Sequence, residues 1–365
     1  WIGCGSLSIA ANEDRMTHIR RQASLARAFG IEVEEIDAVE IKKLWPIANT
    51  DDLHGGILSP SDGRVSSSDV CAALIKGARG GGVRIFEDTP VTGFTFANGR
   101  ISGVETENGT IACDAVALCG GLWSRAIASM AGISAPLYAC EHYALITKPF
   151  DGIYTGMPVL GAHDGYMYIR DEAQGLLVGS FEPNARPVDL NQLPNDFSFD
   201  LLGENWDHFE PIMAEALHRI PALETAEVRM LLNGPESFTL DGAFLMGEAP
   251  EVPGFFMCCG MNSMGVASSG GAGKALADWV VDGDPGVDLS SVDVRRFARV
   301  RDTLTAVRDR AAENLSMHYA IGYAGHEFES ARNLRLSPLH ERLASLGAEF
   351  GDRGGWERPS WFQPA

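Results

Sequence analysis

The residues with the clearest chemical potential lie late in the chain, in Gly260-Met261-Asn262-Ser263-Met264-Gly265-Val266. The apolar run Phe255 to Cys259 ahead of them reads as a strand, and Ala272 to Val281 reads as a helix. Glycine lets a backbone approach a ligand where a Cβ would intrude. A helix start offers unpaired N–H groups and the positive end of a dipole. Strand, glycine turn and helix start together make a socket for an electron-rich or anionic group. Gly273-Lys274 resembles the end of a phosphate-binding P-loop. That loop needs glycine five residues before its second glycine and Ser or Thr after its lysine. Ser268 and Ala275 occupy those places, which excludes a P-loop NTPase and leaves Lys274 as an ordinary helix residue.

A second set lies mid-chain, in Glu141-His142-Tyr143 and Tyr166-Met167-Tyr168-Ile169-Arg170. An imidazole can exchange a proton near neutral pH, and a guanidinium can hold a carboxylate in bidentate fashion. On an alternating strand Tyr168 and Arg170 share a face. The structural alternatives are a packed strand histidine and a solvated arginine salt bridge. Seven cysteines at irregular spacing, with no CxxC, form neither a disulfide framework nor a zinc site. Most are expected in apolar surroundings, in a reducing compartment. No His, Asp or Glu cluster has metal-ligand spacing, and His318, His326 and His340 read as surface residues.

These groups need elements to position them. Residues 13–30 read as an amphipathic helix closed by Gly30, and EVEEIDAVEIKKLWP repeats the pattern up to Pro46. Ser59–Gly63 is turn chemistry. Ser68–Arg79 reads as a helix and Val83–Phe86 as a short strand. Val91–Phe96, Ile101–Thr106 and Thr110–Ala112 read as a meander joined by Asn-Gly turns. Ala115–Cys119 reads as a buried strand. Residues 135–245 read as a mainly antiparallel sheet with strands His142–Thr147, Tyr166–Arg170 and Leu176–Gly179 and a helix over 208–219. Residues 294–315 read as a charged helix, followed by an Arg-, Gly- and Trp-rich tail with no compact element of its own.

The chain has 365 residues, 45% of them hydrophobic, enough for a large core and more than one domain. A net charge of -20 argues against binding nucleic acid or an anionic membrane surface. No apolar run approaches the roughly 20 residues that span a bilayer. The opening WIGCGSLSIA has no charged n-region and no initiator Met, so the true beginning is expected upstream.

Several strings carry a resemblance: CGSLSIA, RQASLARAFGIEVEEI, PSDGRVSSSDV, GVETENGTIACDAVALCGGLWS, NGPESFTLDGAFLMGEAP, CGMNSMGVASSGGAGKALADWVVDGDP and GGWERPSWF. They run from end to end, and together they resemble the flavin-dependent dimethylglycine and sarcosine dehydrogenases of the D-amino-acid-oxidase-like superfamily. The resemblance implies an α/β fold (α+β overall). It consists of a glutathione-reductase-like FAD domain truncated at its front, an inserted antiparallel substrate domain, and a C-terminal connector. The implied division is 1–290 for the oxidoreductase, with the substrate part mainly 1–58 and 135–245 and the flavin part mainly 59–134 and 246–290. Residues 291–365 would be the connector to a folate-binding, aminomethyltransferase-like domain. The family's GxGxxG unit and flavin-linking His would lie upstream, so the piece by itself is expected to be inactive, poorly soluble and flavin-free.

The resemblance also implies roles. Val91, Gly120, Trp123 and Gly260 to Val266 (Gly260, Met261, Asn262, Ser263, Met264, Gly265, Val266) would contact FAD, although Trp123 has a packing alternative. His142 and Tyr168 would be catalytic, and Arg170, Phe238 and Thr239 would bind substrate, with Thr239 or Asp241 holding the loop. The implied reaction is oxidation of an N-methyl amino acid by hydride transfer to flavin. The imine would release formaldehyde or pass a one-carbon unit to tetrahydrofolate on the further domain. Oxygen or an electron-transfer flavoprotein would accept the electrons, in a bacterial cytoplasm or mitochondrial matrix, not a secreted setting. Two alternatives stay open: a D-amino-acid or glycine oxidase of the same fold, and a non-catalytic accessory domain of an aminomethyltransferase.

Overall fold

A nine-stranded mixed sheet dominates the computed structural model, which describes residues 1–194, 196–297, 303–323 and 325–363. Its strands are β1 (Ser6–Ala10), β2 (Glu34–Ile36), β3 (Gly55–Ser59), β8 (Leu137–Thr147), β9 (Val159–Ala162), β10 (Met167–Glu172), β11 (Gly175–Ser180), β12 (Pro187–Val188) and β13 (Val228–Thr239). The path runs β12-β8-β11-β10-β9-β1-β3-β2, with β13 also paired to β8. All pairs are antiparallel except β1 with β9. The front of the chain thus completes the sheet of the middle.

Strand alternation divides the sheet into two faces. One face carries Leu7, Tyr143, Leu145, Leu160, Ile169, Val178 and Leu231, buried against helices α2 (Ala38–Leu44) and α5 (Trp206–Arg219) through Ile41, Phe209 and Ile212. The other holds Ala10 and Ile57 under helix α1 (Glu13–Ala28), and Cys140 and Phe238 under α7 (Leu304–Ser316). His142, Tyr168 and Glu236 lie on this second face. The region read as a second helix after α1 instead opens with β2, a partner of β3, before α2 begins behind a capping box of Asp37 and Glu40. Edge pairing takes Glu34–Ile36 from it.

The second unit is smaller. A three-stranded sheet runs β14-β15-β7, from β7 (Val116–Leu118), β14 (Leu245–Glu248) and β15 (Phe255–Cys259). A meander of β4 (Val91–Ala97), β5 (Arg100–Thr106) and β6 (Gly109–Ala112) flanks it. Helices α4 (Ser124–Met130) and α6 (Gly265–Asp282) pack on this unit, while helix α3 (Ser67–Gly80) buries none of its residues. Val83–Phe86, read as a strand, has no strand partner, and Val83 and Phe86 are exposed. The strand read as buried over Ala115–Cys119 is shorter, and Ala117 and Cys119 are exposed because β7 lies at the sheet edge.

The tail is compact after all. Short helix α8 (His340–Ser345) precedes a hairpin of β16 (Ala348–Arg353) and β17 (Trp356–Phe362). Ion pairs replace apolar alternation there: Glu357, only 3% exposed, takes Arg332 and the Asn333 N–H. The charged helix read over 294–315 resolves into a 3-10 turn at Val294–Phe297 and α7, while 298–302 lies outside the described residues. Among the described residues no helix is long and apolar enough to cross a membrane, and no cluster could hold a metal ion.

Candidate active site

The helix after the glycine turn starts at Gly265, well before the expected Ala272. Gly260 (φ 64), Asn262 (φ 49) and Ser263 (φ 64) are left-handed, which folds the chain sharply between β15 and α6. Buried Asn262 fixes this turn: its Nδ2 donates to Gly260 O at 2.6 Å, and its Oδ1 accepts the Thr239 N–H at 2.9 Å. A Cβ on Gly260 would stand 2.7 Å from Thr239 Cγ2, so the close approach requires glycine. Met264 at the N-cap offers no side-chain cap. The first-turn N–H groups of α6 are therefore left for another acceptor.

Gly260 and Met261 line a cavity of about 280 Å³ with Cys119, Gly121, Leu122, Pro235, Glu236, Ser237, Cys258 and Cys259. Ser263 Oγ donates to Glu236 Oε2, so the turn is tied to the large sheet. His142 Nε2 lies 4.0 Å from the same oxygen. The pairing of β8 with β13 explains this. Gly234 faces His142 and Glu236 faces Cys140, so His142 and Glu236 are diagonal neighbours on one face.

Tyr168 sits on that face between two glycines, Gly161 on β9 and Gly179 on β11. A Cβ on Gly179 would come 2.1 Å from Tyr168 Cζ. The ring therefore lies flat across β11, toward Phe181, at a centroid distance of 6.5 Å. Phe181 is the hub of the cluster: His142 tilts against it at 4.8 Å, and His318 stacks on it at 3.9 Å and 12°. Tyr319 meets Phe181 at 4.6 Å and stacks on His163 at 4.0 Å. His318, read as a surface residue, is thus half-buried in this cluster, because α7 ends over the sheet. His340 is also half-buried, against Phe350 at 4.2 Å, while His326 is exposed.

Burial sets the electrostatics. It depresses His142 from 6.5 to about 4, and its Nδ1 is buried with no partner. His163 and His318 are lowered to about 4 by the same cause. Burial raises Glu236, against the hydrogen bond from Ser263. Glu182 is 2% exposed and pushed up to about 7 by burial, although Ser180 Oγ (2.7 Å) and the Tyr143 N–H (3.2 Å) both donate to its Oε1. Tyr168 is raised by burial. Cys119 bonds to Cys258 on the neighbouring strand, which lowers the Cys119 thiol to about 7 and raises Cys258.

The remaining expected site residues are dispersed. Gly120 packs against Ile127, Leu118 and Ser124, and it is Gly121 that borders the cavity. Trp123 is 47% exposed and lines a separate hollow with Leu190 and Phe197. Val91, half-buried, opens β4 in the meander. The side chains of Met264 and Val266 are exposed. Arg170 pairs with Glu172 on its own strand. Phe238 is sealed between Cys140, Phe181, Ala311 and Leu315. The Thr239 hydroxyl donates to Ala243 O at 2.8 Å and its carbonyl accepts Asn314 Nδ2 at 2.6 Å. Asp241 pairs with Arg296 at 2.8 Å.

Glu236, Glu182, Phe181, His318 and Tyr319 escaped the sequence reading. Glu236 left one trace, a lone charge two residues from Phe238 in an otherwise uncharged stretch from Leu231 to Leu240. The others depend on the pairing of β11 with β8 and β10 and on where α7 ends, which are long-range facts.

Comparison with known proteins completes the description. The family model for an FAD dependent oxidoreductase matches residues 1–279, and that for an FAD dependent oxidoreductase central domain matches 282–337. Human mitochondrial sarcosine dehydrogenase is 38% identical over 370 residues, covering 100% of this chain and 40% of that protein. The mouse mitochondrial pyruvate dehydrogenase phosphatase regulatory subunit is 38% identical over 367 residues, covering 100% of this chain and 42% of that protein. The chain therefore spans about 40% of the length of the curated relatives it matches. The crystal structure of L-proline dehydrogenase from P. horikoshii superimposes with a TM-score of 0.70 at 22% identity, over 81% of this chain and 76% of that one. This last likeness concerns the fold alone.

Proposed function

Because the chain belongs to the FAD dependent oxidoreductase family, we propose that this protein oxidises an N-methyl amino acid of the sarcosine or dimethylglycine type. The observation that carries the reading is a cavity bordered by Gly260 and Met261, just ahead of the uncapped α6 start, and by the Glu236 carboxylate, which stands 4.0 Å from a neutral imidazole. The similarity to sarcosine dehydrogenase supports the N-methyl substrate. The cavity borders fit the ring end of a flavin. Gly260 brings the backbone of the turn to the cavity wall, Gly121 leaves open space, and the α6 start just beyond has no side-chain cap.

FAD, when bound, supplies the acceptor for the two electrons removed as hydride from the methyl C–H. Gly260 to Val266, with Gly121, would hold its ring, and the α6 start would stabilise negative charge gathered on the ring edge. Val91, Gly120 and Trp123 remain proposals for its other parts. Tyr168 and Phe181 would wall the substrate and keep water out. His142, with a pKa near 4, is neutral at physiological pH and can donate or accept a hydrogen bond without adding charge. The imine product would release formaldehyde or yield a one-carbon unit to tetrahydrofolate beyond residue 365. Oxygen or an electron-transfer flavoprotein would reoxidise the cofactor. Residues 1–290 would form the oxidoreductase unit and 291–365 the connector, in a mitochondrial matrix or bacterial cytoplasm.

Anaerobic mixing of the complete protein with sarcosine, dimethylglycine, glycine and D-alanine tests this. Bleaching of the flavin by the N-methyl acids alone is expected. Bleaching only by glycine or D-alanine would move the assignment to an amino-acid oxidase. A flavin-free protein inert to all four would favour an accessory role, the reading that the likeness to a regulatory subunit supports.

A further inference from the structure

An N-methyl amino acid carries a protonated amine in water, and a nitrogen without a lone pair cannot push out a hydride. The proton must go somewhere, and His142 is a poor acceptor near neutral pH because burial holds it at about 4. The 280 Å³ cavity beside the glycine turn contains one carboxylate, Glu236, and no lysine or arginine borders it. Glu236 Oε2 accepts from the Ser263 hydroxyl, and the Ser263 backbone N–H adds a second hydrogen bond to the carboxylate. Its surroundings are otherwise Pro235, Leu122, Met261, the imidazole of His142 and the thiols of Cys258 and Cys119, of which only Cys119, lowered to about 7 by its hydrogen bond with Cys258, can carry charge near neutral pH.

We infer that Glu236 recognises the ammonium of the substrate and receives its proton. This rests on the N-methyl amine reading above. In the step, the substrate ammonium and the Glu236 carboxylate become the neutral amine and the Glu236 carboxylic acid. The N–H bond breaks, its electron pair stays on nitrogen as the lone pair, and an O–H bond forms. Ser263 orients the carboxylate from the flavin-side turn and β13 fixes it from the substrate sheet, so the acceptor stands at the seam between the two units. Partial burial favours the protonated product state, since a neutral acid is easier to keep in a cavity than a carboxylate. The titratable groups facing it are His142 and Cys140 from β8, Tyr168 from β10, Cys119 after β7 and Cys258 from β15. Glu182 lies just beyond β11.

The test uses the complete flavin-loaded protein with E236Q and E236D, each checked for retained flavin. Equilibrium binding is measured for sarcosine under anaerobic conditions and for (methylthio)acetate, its uncharged-sulfur counterpart. E236Q is expected to weaken sarcosine roughly tenfold or more while leaving the thioether unchanged, the scale of one charge-assisted hydrogen bond. Flavin reduction by saturating sarcosine is expected to slow roughly 100-fold, the lower range for a lost proton acceptor. It should recover as pH rises and more amine arrives neutral, and E236D should restore part of the rate. Equal loss for both ligands with no recovery at high pH would overturn the inference, as would wild-type behaviour of E236Q. If the wild type is reduced by no N-methyl acid, the functional reading fails, and the two binding constants alone then decide whether Glu236 selects a cation.

Discussion

Tyr168 can lie across the sheet only because position 179 has no Cβ. Gly179→Ala is expected to push the phenol off β11, at a cost of about 1–3 kcal/mol for an overpacked site. It should also cut substrate-driven flavin reduction while flavin content holds. An unchanged melting temperature and unchanged reduction would show that the ring is not held as described. For His142 the expectation is a separation of effects. His142→Ala in the complete protein should slow flavin reduction far more than it weakens flavin retention, and equal loss of both would argue for a purely structural imidazole. At this scale the sequence was informative where a residue carries its own signal. His142, Tyr168 and the Gly260 turn were all singled out. It was silent on Phe181 and read His318 as a surface residue, because only the end of α7 over the sheet brings the two face to face.

The elements tell a similar story of local against distant causes. Strand β11 is buried at every position and β8 begins at Leu137, five residues ahead of the strand read from His142, while β10 alternates cleanly and could be read directly. The first seven residues of α6 could not, because Gly265-Val266-Ala267-Ser268-Ser269-Gly270-Gly271 is poor in helix formers. The buried side of α6 begins only at Ala272 and runs through Ala275, Leu276 and Trp279, so the well-packed half carries the weak half. That makes the turn ahead of it sensitive. Asn262→Ala would lose both side-chain bonds and leave a Cβ residue at positive φ, a combined cost of about 1–3 kcal/mol, with flavin retention falling in step. Asn262→Gly relieves the backbone strain and is expected to retain more flavin than Asn262→Ala; equal loss in the two would mean that the hydrogen bonds both lack, not the backbone conformation, decide. Helix α3 offers a contrast, since none of its residues is buried. Its amides should exchange with solvent orders of magnitude faster than those of α5, and slow exchange in residues 67–80 of this chain would contradict the packing described.

For the whole molecule, the buried histidines link stability to pH. His142, His163 and His318 have folded pKa values near 4 against an ordinary 6.5. Between those values the unfolded chain binds the extra protons, so each histidine makes stability rise with pH, by at most about 1.4 kcal/mol per pH unit. Glu182, raised from 4.5 to about 7, works the other way over 4.5 to 7, and Glu236 is raised in the same direction. Three histidines outweigh two carboxylates, so the melting temperature is expected to rise from about pH 5 to about pH 6.5. His318→Phe, which keeps the stack on Phe181, should flatten that rise, and Glu182→Gln should steepen it. A melting temperature that falls across this range would contradict the buried neutral state. The pairing of β1 with β9, which joins the front of the chain to its middle, has no local signal in either strand. Nor was the depth to which the last 75 residues enter the body legible, since they read as a charged helix and a tail with no compact element of its own.

Arg310 shows how deep that entry goes. Its guanidinium is 1% exposed, sits 4.3 Å over the Phe328 ring, and donates to the carbonyls of Leu240 and Ser330. Val294, Phe297 and Val307 meanwhile fill the same core as Leu245 and Phe255. The border between the two matched family segments, near residue 280, is therefore not a place where the chain can be cut and rejoined. A hybrid that keeps residues 1–280 and borrows the remainder from a relative must import a matching set of plugs for two cores and one buried cation. Grafting succeeds only as far as those complementary surfaces travel together, so the natural unit of exchange is the whole interlocked body.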